Sequence, residues 1–170
     1  MTFQARLATA NDSPAIVRIY NAGIEDRLGT FETRPRSAQD VQGWFDGRHP
    51  IVVVEDAHGQ AVAFAATSLY RTRACYDGIA EFSVYVDREA RGRGAGRVAM
   101  DALIDAARLA GYWKLVSRVF VENAASRALL ARVGFREVGI YQRHARLDGT
   151  WRDVVIVERL IPENQPDAQS

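Results

Sequence analysis

The chain has 170 residues, 48% of them apolar, enough for one domain with a substantial core. Its 22 basic and 21 acidic side chains are interspersed and leave a net charge of +1, so no cationic field favours nucleic acid. One cysteine, Cys75, excludes an internal disulfide framework or a cysteine metal cluster; Met1–Arg6 lacks a signal peptide's basic region and apolar core, and no apolar run nears the ~18 residues of a membrane span, so a soluble cytoplasmic protein is expected.

Residues 3–7 alternate as a short strand. Thr9, Asn11 and Asp12 offer helix caps, with Pro14 tolerable only in the first turn; Ile16, Val17, Ile19 and Tyr20 give the helix that follows its apolar stripe. Residues 29–35 break the periodicity and read as a loop. Ser37 caps a short helix over 38–45 whose Val41, Trp44 and Phe45 face inward. Strands at 51–55 and 61–69 flank a turn at 56–60 and form a hairpin, and a third long strand covers 79–86.

A helix over 97–110 puts Met100, Leu103, Ile104 and Ala107 on one face and ends at Gly111. Residues 115–121 form a strand. Asn123 caps a helix that runs to Arg132 and stops at Gly134. Strands at 135–146 and 154–160, joined through residues 147–150, complete a single domain over 1–161, and residues 162–170 read as a polar, frayed tail. This order describes an α/β domain with a mixed central sheet and helices on both faces.

Arg91-Gly92-Arg93-Gly94-Ala95-Gly96 lies between the 79–86 strand and the 97–110 helix. Glycines two residues apart let backbone N–H groups converge, and the helix start adds its own unpaired N–H groups and the positive end of its dipole. The turn therefore suits a phosphate-bearing ligand, although such turns also occur as plain connections. It is not a P-loop, because Arg97-Val98 follows where Lys-Ser/Thr is needed. It is not a dinucleotide fingerprint either: it lies mid-chain, and Lys114 stands where a carboxylate should be.

On this turn the chain resembles the GNAT superfamily of N-acetyltransferases, whose acetyl-CoA signature is Arg/Gln-x-x-Gly-x-Gly/Ala. More closely it resembles the phosphinothricin acetyltransferase group, including arsinothricin-resistance enzymes. The shared pieces are Ile19-Tyr20-Asn21, Thr30-Phe31-Glu32, Tyr70-Arg71 with Arg73 and Tyr76, Glu81 with Ser83-Val84-Tyr85-Val86, Asn123 with Ser126, Gly134-Phe135, and Gly149 with Trp151 and Asp153-Val154. The resemblance implies transfer of acetyl from acetyl-CoA to a primary amine of a small amino-acid-like substrate. It implies parallel strands splayed around Val86 and Leu115, with the diphosphate on N–H groups of residues 91–96 and the pantetheine along Phe82, Val84 and Val86. It places Asn123 and Ser126 at the cofactor, implies a homodimer, and calls for no metal. The related enzymes carry a histidine where this chain has Leu130.

An ammonium cannot attack a thioester, so a base is required. Glu81 holds the position assigned that role in the related enzymes, and its apolar strand neighbours suggest a carboxyl raised by desolvation; the alternatives are a solvent-facing glutamate or one paired to an arginine. The superfamily commonly uses a tyrosine as acid, and the sequence singles none out. Arg71 and Arg73, on one face if the segment is extended, suit an oxyanion, with Phe31, Glu32 and Tyr76 lining the same pocket and Trp151 edging it. His49, His58 and His144 are scattered, and surface or packing roles are expected for them. The acceptor is expected to be phosphinothricin-like or arsinothricin-like, with methionine sulfone or sulfoximine as a second possibility. A non-catalytic acyl-CoA sensor is the alternative from another class.

Overall fold

The computed structural model describes residues 2–166, so the last four residues of the expected tail lie outside it. Seven strands form one mixed sheet. In chain order they are β1 (Gln4–Leu7), β2 (Ile51–Glu55), β3 (Ala61–Leu69), β4 (Ile79–Val86), β5 (Lys114–Phe120), β6 (Arg136–Leu147) and β7 (Thr150–Leu160). Their spatial order is β1-β2-β3-β4-β5-β7-β6, and β4–β5 is the parallel pair. The helices are α1 (Ser13–Asp26), α2 (Ala38–Gln42), α3 (Ala95–Leu109) and α4 (Ala124–Arg132).

The strand period of two divides the side chains between two cores. On one face, α3 lays Ala99, Met100, Leu103 and Ala107 over Val52, Val54, Ala63, Ala65 and Phe82, all buried. Full burial of Met100 and Leu103 contributes roughly 1.5–3 kcal/mol each. On the other face, α1 and α2 pack Ile16, Ile19, Ile24 and Val41 against Val53 and Phe64, with Tyr85 among them. Helices therefore cover both faces, as the sequence pattern requires.

Some boundaries differ from those read in the sequence, for local reasons. Helix α2 stops at Gln42, with Ser37 accepting from the Asp40 N–H at its start; Trp44 and Phe45 still reach the α1 core from the turn beyond. Helix α3 begins at Ala95, so Gly96 belongs to its first turn and not to the loop. Strand β7 begins at Thr150, because Asp148 and Gly149, both at positive φ, make a two-residue hairpin turn in which Leu147 pairs with Thr150. In the expected tail, Asn164 donates to the carbonyls of Arg108 and Tyr112.

The parallel pair is short. Ile79, Ala80 and Glu81 pair with Lys114, Leu115 and Val116, and beyond Glu81 and Val116 the strands part. Leu115, expected at the splay, lies inside the paired segment. The carbonyl of Gly78 starts the pair by accepting from the N–H groups of Trp113 and Lys114, at 2.7 and 3.3 Å. A Cβ on Gly78 would stand 1.9 Å from the Trp113 indole. Gly78→Ala must displace that ring, and we expect a loss of roughly 1–3 kcal/mol, read as a lower urea midpoint at unchanged m value. An unshifted midpoint would show that the indole is free to move.

Candidate active site

Where β4 and β5 part, their facing backbone groups lose their ladder. The N–H of Asp87 donates to Val62 on β3, whereas the carbonyls of Phe82 and Val86 accept from Ser117 Oγ and Arg91 Nε. Even-numbered residues of β4 thus turn their N–H and C=O groups toward the gap, so Phe82, Val84 and Val86 present an open edge there. Ser117 spans the gap at its narrow end, donating to Phe82 across 2.9 Å. A small cleft beyond it is lined by Phe82, Ser83, Val84, Asn123, Ser126 and Leu130 among others.

The glycine turn stands at the wide end. Gly92 and Gly94 have φ of 73° and 95°, and Gly94 is the N-cap of α3. Beyond both, where a Cβ would stand, space is open. Ala95, Gly96 and Arg97 are the first three residues of α3, so their N–H groups have no intrahelical acceptor. At Gly96 a Cβ would come 3.0 Å from Leu129 of α4 and 3.4 Å from Val86, so glycine lets the helix start sit close beside β4. A concave run of amides at the positive end of a 15-residue helix fits a diphosphate.

Arg91 meets protein groups with its side chain. Its guanidinium bonds Asp26 at 2.8 Å and the Val86 carbonyl at 3.2 Å, and Arg88 bonds the same carboxylate. Arg88, ahead of Arg91, holds the Asp26 carboxyl below the usual carboxylate range against the opposing effect of burial. A carboxylate at the C-terminal end of α1 opposes the helix dipole, and two cations offset that. The α1 end and the phosphate turn are thereby fastened together.

Glu81 lies at the junction, on the α1 face of the sheet. It lines a cavity of about 320 Å³ together with Gly29, Phe31, Ser117, Arg118, Phe120, His144, Ala145 and Val154. The carboxylate is one-third exposed, and its partner is a cation: Arg118 Nη2 donates to Glu81 Oε1 at 3.2 Å. Of the readings open in the sequence, the arginine-paired glutamate is the one observed, inside a cavity. Arg118 Nη1 donates in turn to Nε2 of His144 at 3.3 Å, and the His144 ring stacks on Tyr141 with centroids 4.9 Å apart.

The loop between α1 and α2 covers this cavity. Phe31 meets Phe120 edge-on at 4.9 Å. Asn21 clamps Arg36 by both its N–H and its carbonyl, and Asn123 donates to the Leu28 carbonyl at 2.9 Å while its Oδ1 accepts from Ser126 N–H. Asn123 therefore caps α4 and fastens the loop. Tyr85, whose ring turns to the α1 face, is partly buried beside Gly23 and Gly29; desolvation pushes its phenol up.

Other residues singled out in the sequence are not among those that line the cavity. The chain bends at Thr72 and Arg73 before a short turn, so Arg71 and Arg73 are not related by extended geometry. Both are exposed. Arg71 lies 5.1 Å over the Tyr70 ring, and the Tyr70 side chain is the main cause that raises the guanidinium's pKa from its ordinary value. Glu32 is exposed and pairs with Arg36 at 3.2 Å. Trp151 carries the Arg146 guanidinium on its ring at 4.5 Å and is not a wall of the cavity.

Two wall residues escaped the sequence reading. Arg118 had a signal, since Val116, Arg118 and Phe120 alternate onto the face that carries Glu81. His144 had none: it follows Arg143, whose φ of 46° belongs to a bulge in β6 between Tyr141 and Ala145.

A sheet opened between two parallel strands, with a glycine turn and helix N-terminus on one side of the gap and a carboxylate at its apex, is the arrangement of an acyl-CoA-dependent transferase. The chain belongs to the acetyltransferase (GNAT) family, which matches residues 16–135. It is 32% identical over 162 residues to an L-methionine sulfoximine/L-methionine sulfone acetyltransferase of Pseudomonas paraeruginosa, spanning 93% of this chain and 94% of that one. It is also 32% identical to a phosphinothricin N-acetyltransferase of Streptomyces coelicolor, over 92% and 95% of the two chains. A Sinorhizobium meliloti phosphinothricin acetyltransferase crystallised with acetyl-CoA superposes with a TM-score of 0.91 at 26% identity, covering 100% of this chain and 94% of that one. The protein is an acetyl-CoA-dependent N-acetyltransferase acting on a small amine. Among the described residues, no helix is long and apolar enough to cross a membrane.

The Asp26 fastening yields a prediction. Asp26→Asn releases Arg88 and Arg91 from their shared carboxylate and loosens the phosphate turn. A partly exposed network of this kind is worth about 1 kcal/mol, so KM for acetyl-CoA should rise about three- to tenfold with kcat little changed. Steady-state kinetics at varied acetyl-CoA check this, and a KM equal to the parent's would leave the network without a role in the turn.

Proposed function

We propose that the protein acetylates the amino group of a small amino acid that bears a second, oxyanionic or sulfonyl-like head group, with Glu81 as the base. The carrying observation is the position of Glu81, at the apex of the β4–β5 gap and in the wall of an open cavity of amino-acid size. Bound acetyl-CoA supplies an acetyl group activated as a thioester. The amides of Arg91, Gly92, Arg93 and Gly94 in the turn, with those of Ala95 and Gly96 at the start of α3, hold the diphosphate. The open edge of Phe82, Val84 and Val86 accepts the pantetheine, and Asn123 and Ser126 flank it. Glu81 takes one proton from the ammonium, the nitrogen bonds the acyl carbon, the C–S bond breaks, and coenzyme A leaves as the thiol with the second proton that the nitrogen sheds. Ser117, which already binds the Phe82 carbonyl, keeps the gap open to a fixed width.

The head group faces the rim. In this reading Arg71 and Arg73, both exposed, supply the cations and Tyr76 a phenol from outside the cavity lining, Phe31 is an apolar wall, and Glu32 and Trp151 are not part of the wall. This distribution suits a phosphinate or arsonate. Methionine sulfone or sulfoximine is favoured as a second reading by the Pseudomonas relative. A polyamine would meet the charges of Arg71, Arg73 and Arg118.

Two measurements test these roles. Glu81→Gln should lower kcat by about 10²–10³ while calorimetric affinity for acetyl-CoA stays near that of the parent; parental turnover from pH 6 to 9 removes Glu81 from the mechanism. With phosphinothricin as acceptor, Arg71→Ala combined with Arg73→Ala should raise KM about tenfold or more and change kcat less. Thiol release across phosphinothricin, arsinothricin, methionine sulfone, spermidine and short peptides ranks the acceptors, and unchanged kinetics in the double variant would move the anion site elsewhere.

A further inference from the structure

Within that reading of an amino-acid acceptor, on which this inference rests, the geometry points to Arg118 as a specificity-determining residue: its guanidinium reads the carboxylate attached to the same carbon as the amine that Glu81 deprotonates. Glu81 Oε1 and Arg118 Nη2 stand 3.2 Å apart in the cavity wall. In an α-amino acid the nitrogen and the nearer carboxylate oxygen are separated by about 3 Å, from the bond lengths of N–Cα, Cα–C and C–O. The two dipoles match in length and are opposite in sense. A zwitterion laid against the pair gives its ammonium to the carboxylate and its carboxylate to the guanidinium, so all four charges meet a counter-charge as water leaves.

The fold does not account for this pair. Arg118 is about half exposed and Glu81 one-third exposed, and a pair so open to water contributes little to stability. Arg118 is also aimed. His144 can only accept from it, at 3.3 Å, which fixes one arm of the guanidinium fork while the other meets Glu81; stacking on Tyr141 holds the imidazole. Most of the remaining wall, Gly29, Phe31, Phe120, Ala145 and Val154, is apolar, and Ser117 Oγ already donates to the Phe82 carbonyl, so Arg118 is the cation there that an acceptor's anion can meet. An acceptor whose carboxyl is amidated, as at a peptide N-terminus, brings no anion and leaves the guanidinium competing with the substrate ammonium for Glu81.

The experiment compares L-methionine sulfone and L-phosphinothricin with their α-carboxamides, in the parent enzyme and in Arg118→Gln and Arg118→Lys, by thiol release at saturating acetyl-CoA. Thermal melts and calorimetric acetyl-CoA affinity establish that each variant is folded. The parent should favour the free acid in kcat/KM by about 10- to 100-fold. In Arg118→Gln that ratio should collapse toward one through KM, and Arg118→Lys should restore part of it. Disturbance of Glu81 by the substitution lowers kcat for acid and amide together and leaves the ratio in place, so the ratio isolates the carboxylate. A parent without preference, or an Arg118→Gln enzyme that keeps the parental ratio, overturns the assignment while amino-acid acetylation stands. No acetylation of acid or amide by the parent defeats the amino-acid reading itself, and the role of Arg118 with it.

Discussion

Two neighbouring parallel strands share three residue pairs and then separate, and most of the site follows from that separation. A continuous ladder would leave Phe82, Val84 and Val86 no free backbone edge and would fill the space that Glu81 and Arg118 border. Opening a sheet exposes N–H and C=O groups that need partners. At the narrow end Ser117 Oγ meets the Phe82 carbonyl, and at the wide end Arg91 meets the Val86 carbonyl. Gly78 and Trp113 set where the pair begins, so the apex falls at Glu81 and not a residue earlier or later. A shift of one residue would send Glu81 to the α3 face, into the apolar core.

The surroundings of the gap are fastened by charge and amide contacts more than by packing. Arg27 reaches Asp148 in the β6–β7 turn, Arg88 and Arg91 share Asp26, and Asn21 and Asn123 hold the covering loop from two sides. Such contacts are half exposed and individually worth little stability. They fix orientation. The apolar cores on either face of the sheet carry the stability, and the polar ties decide where the loops stand relative to the opening.

Much of this was legible because backbone chemistry leaves marks in sequence. Glycines at 92 and 94 are needed where φ is positive, and the alternation through Ala80 to Val86 assigns Glu81 and Tyr85 to the face opposite Phe82 and Val84. Asn123 is both the helix cap expected of it and a loop anchor. What escaped depended on long-range placement. Arg118 becomes meaningful only once β5 lies beside β4 in register. The bend at Thr72 and Arg73 breaks an inference that assumed extended chain, and His144 depends on a bulge that period-two counting cannot anticipate.

That bulge also explains a motif whose residues do not all face the cavity. Between Tyr141 and Ala145 the β6 ladder slips, leaving the Arg143 N–H without its strand partner and its φ at 46°. A non-glycine residue there is sustained only if its surroundings hold it. Asp153, on the adjoining strand, accepts that N–H at 2.7 Å. The next residue is His144, whose ring reaches Arg118 and through it Glu81. The segment from Gly149 to Asp153 thus touches the cavity at one remove: the tight Asp148-Gly149 turn sets the hairpin register, the register places Asp153 opposite the bulge, and the bulge delivers the imidazole. Trp151 and Arg146, a cross-strand pair of the same hairpin stacked on each other, hold that register from outside.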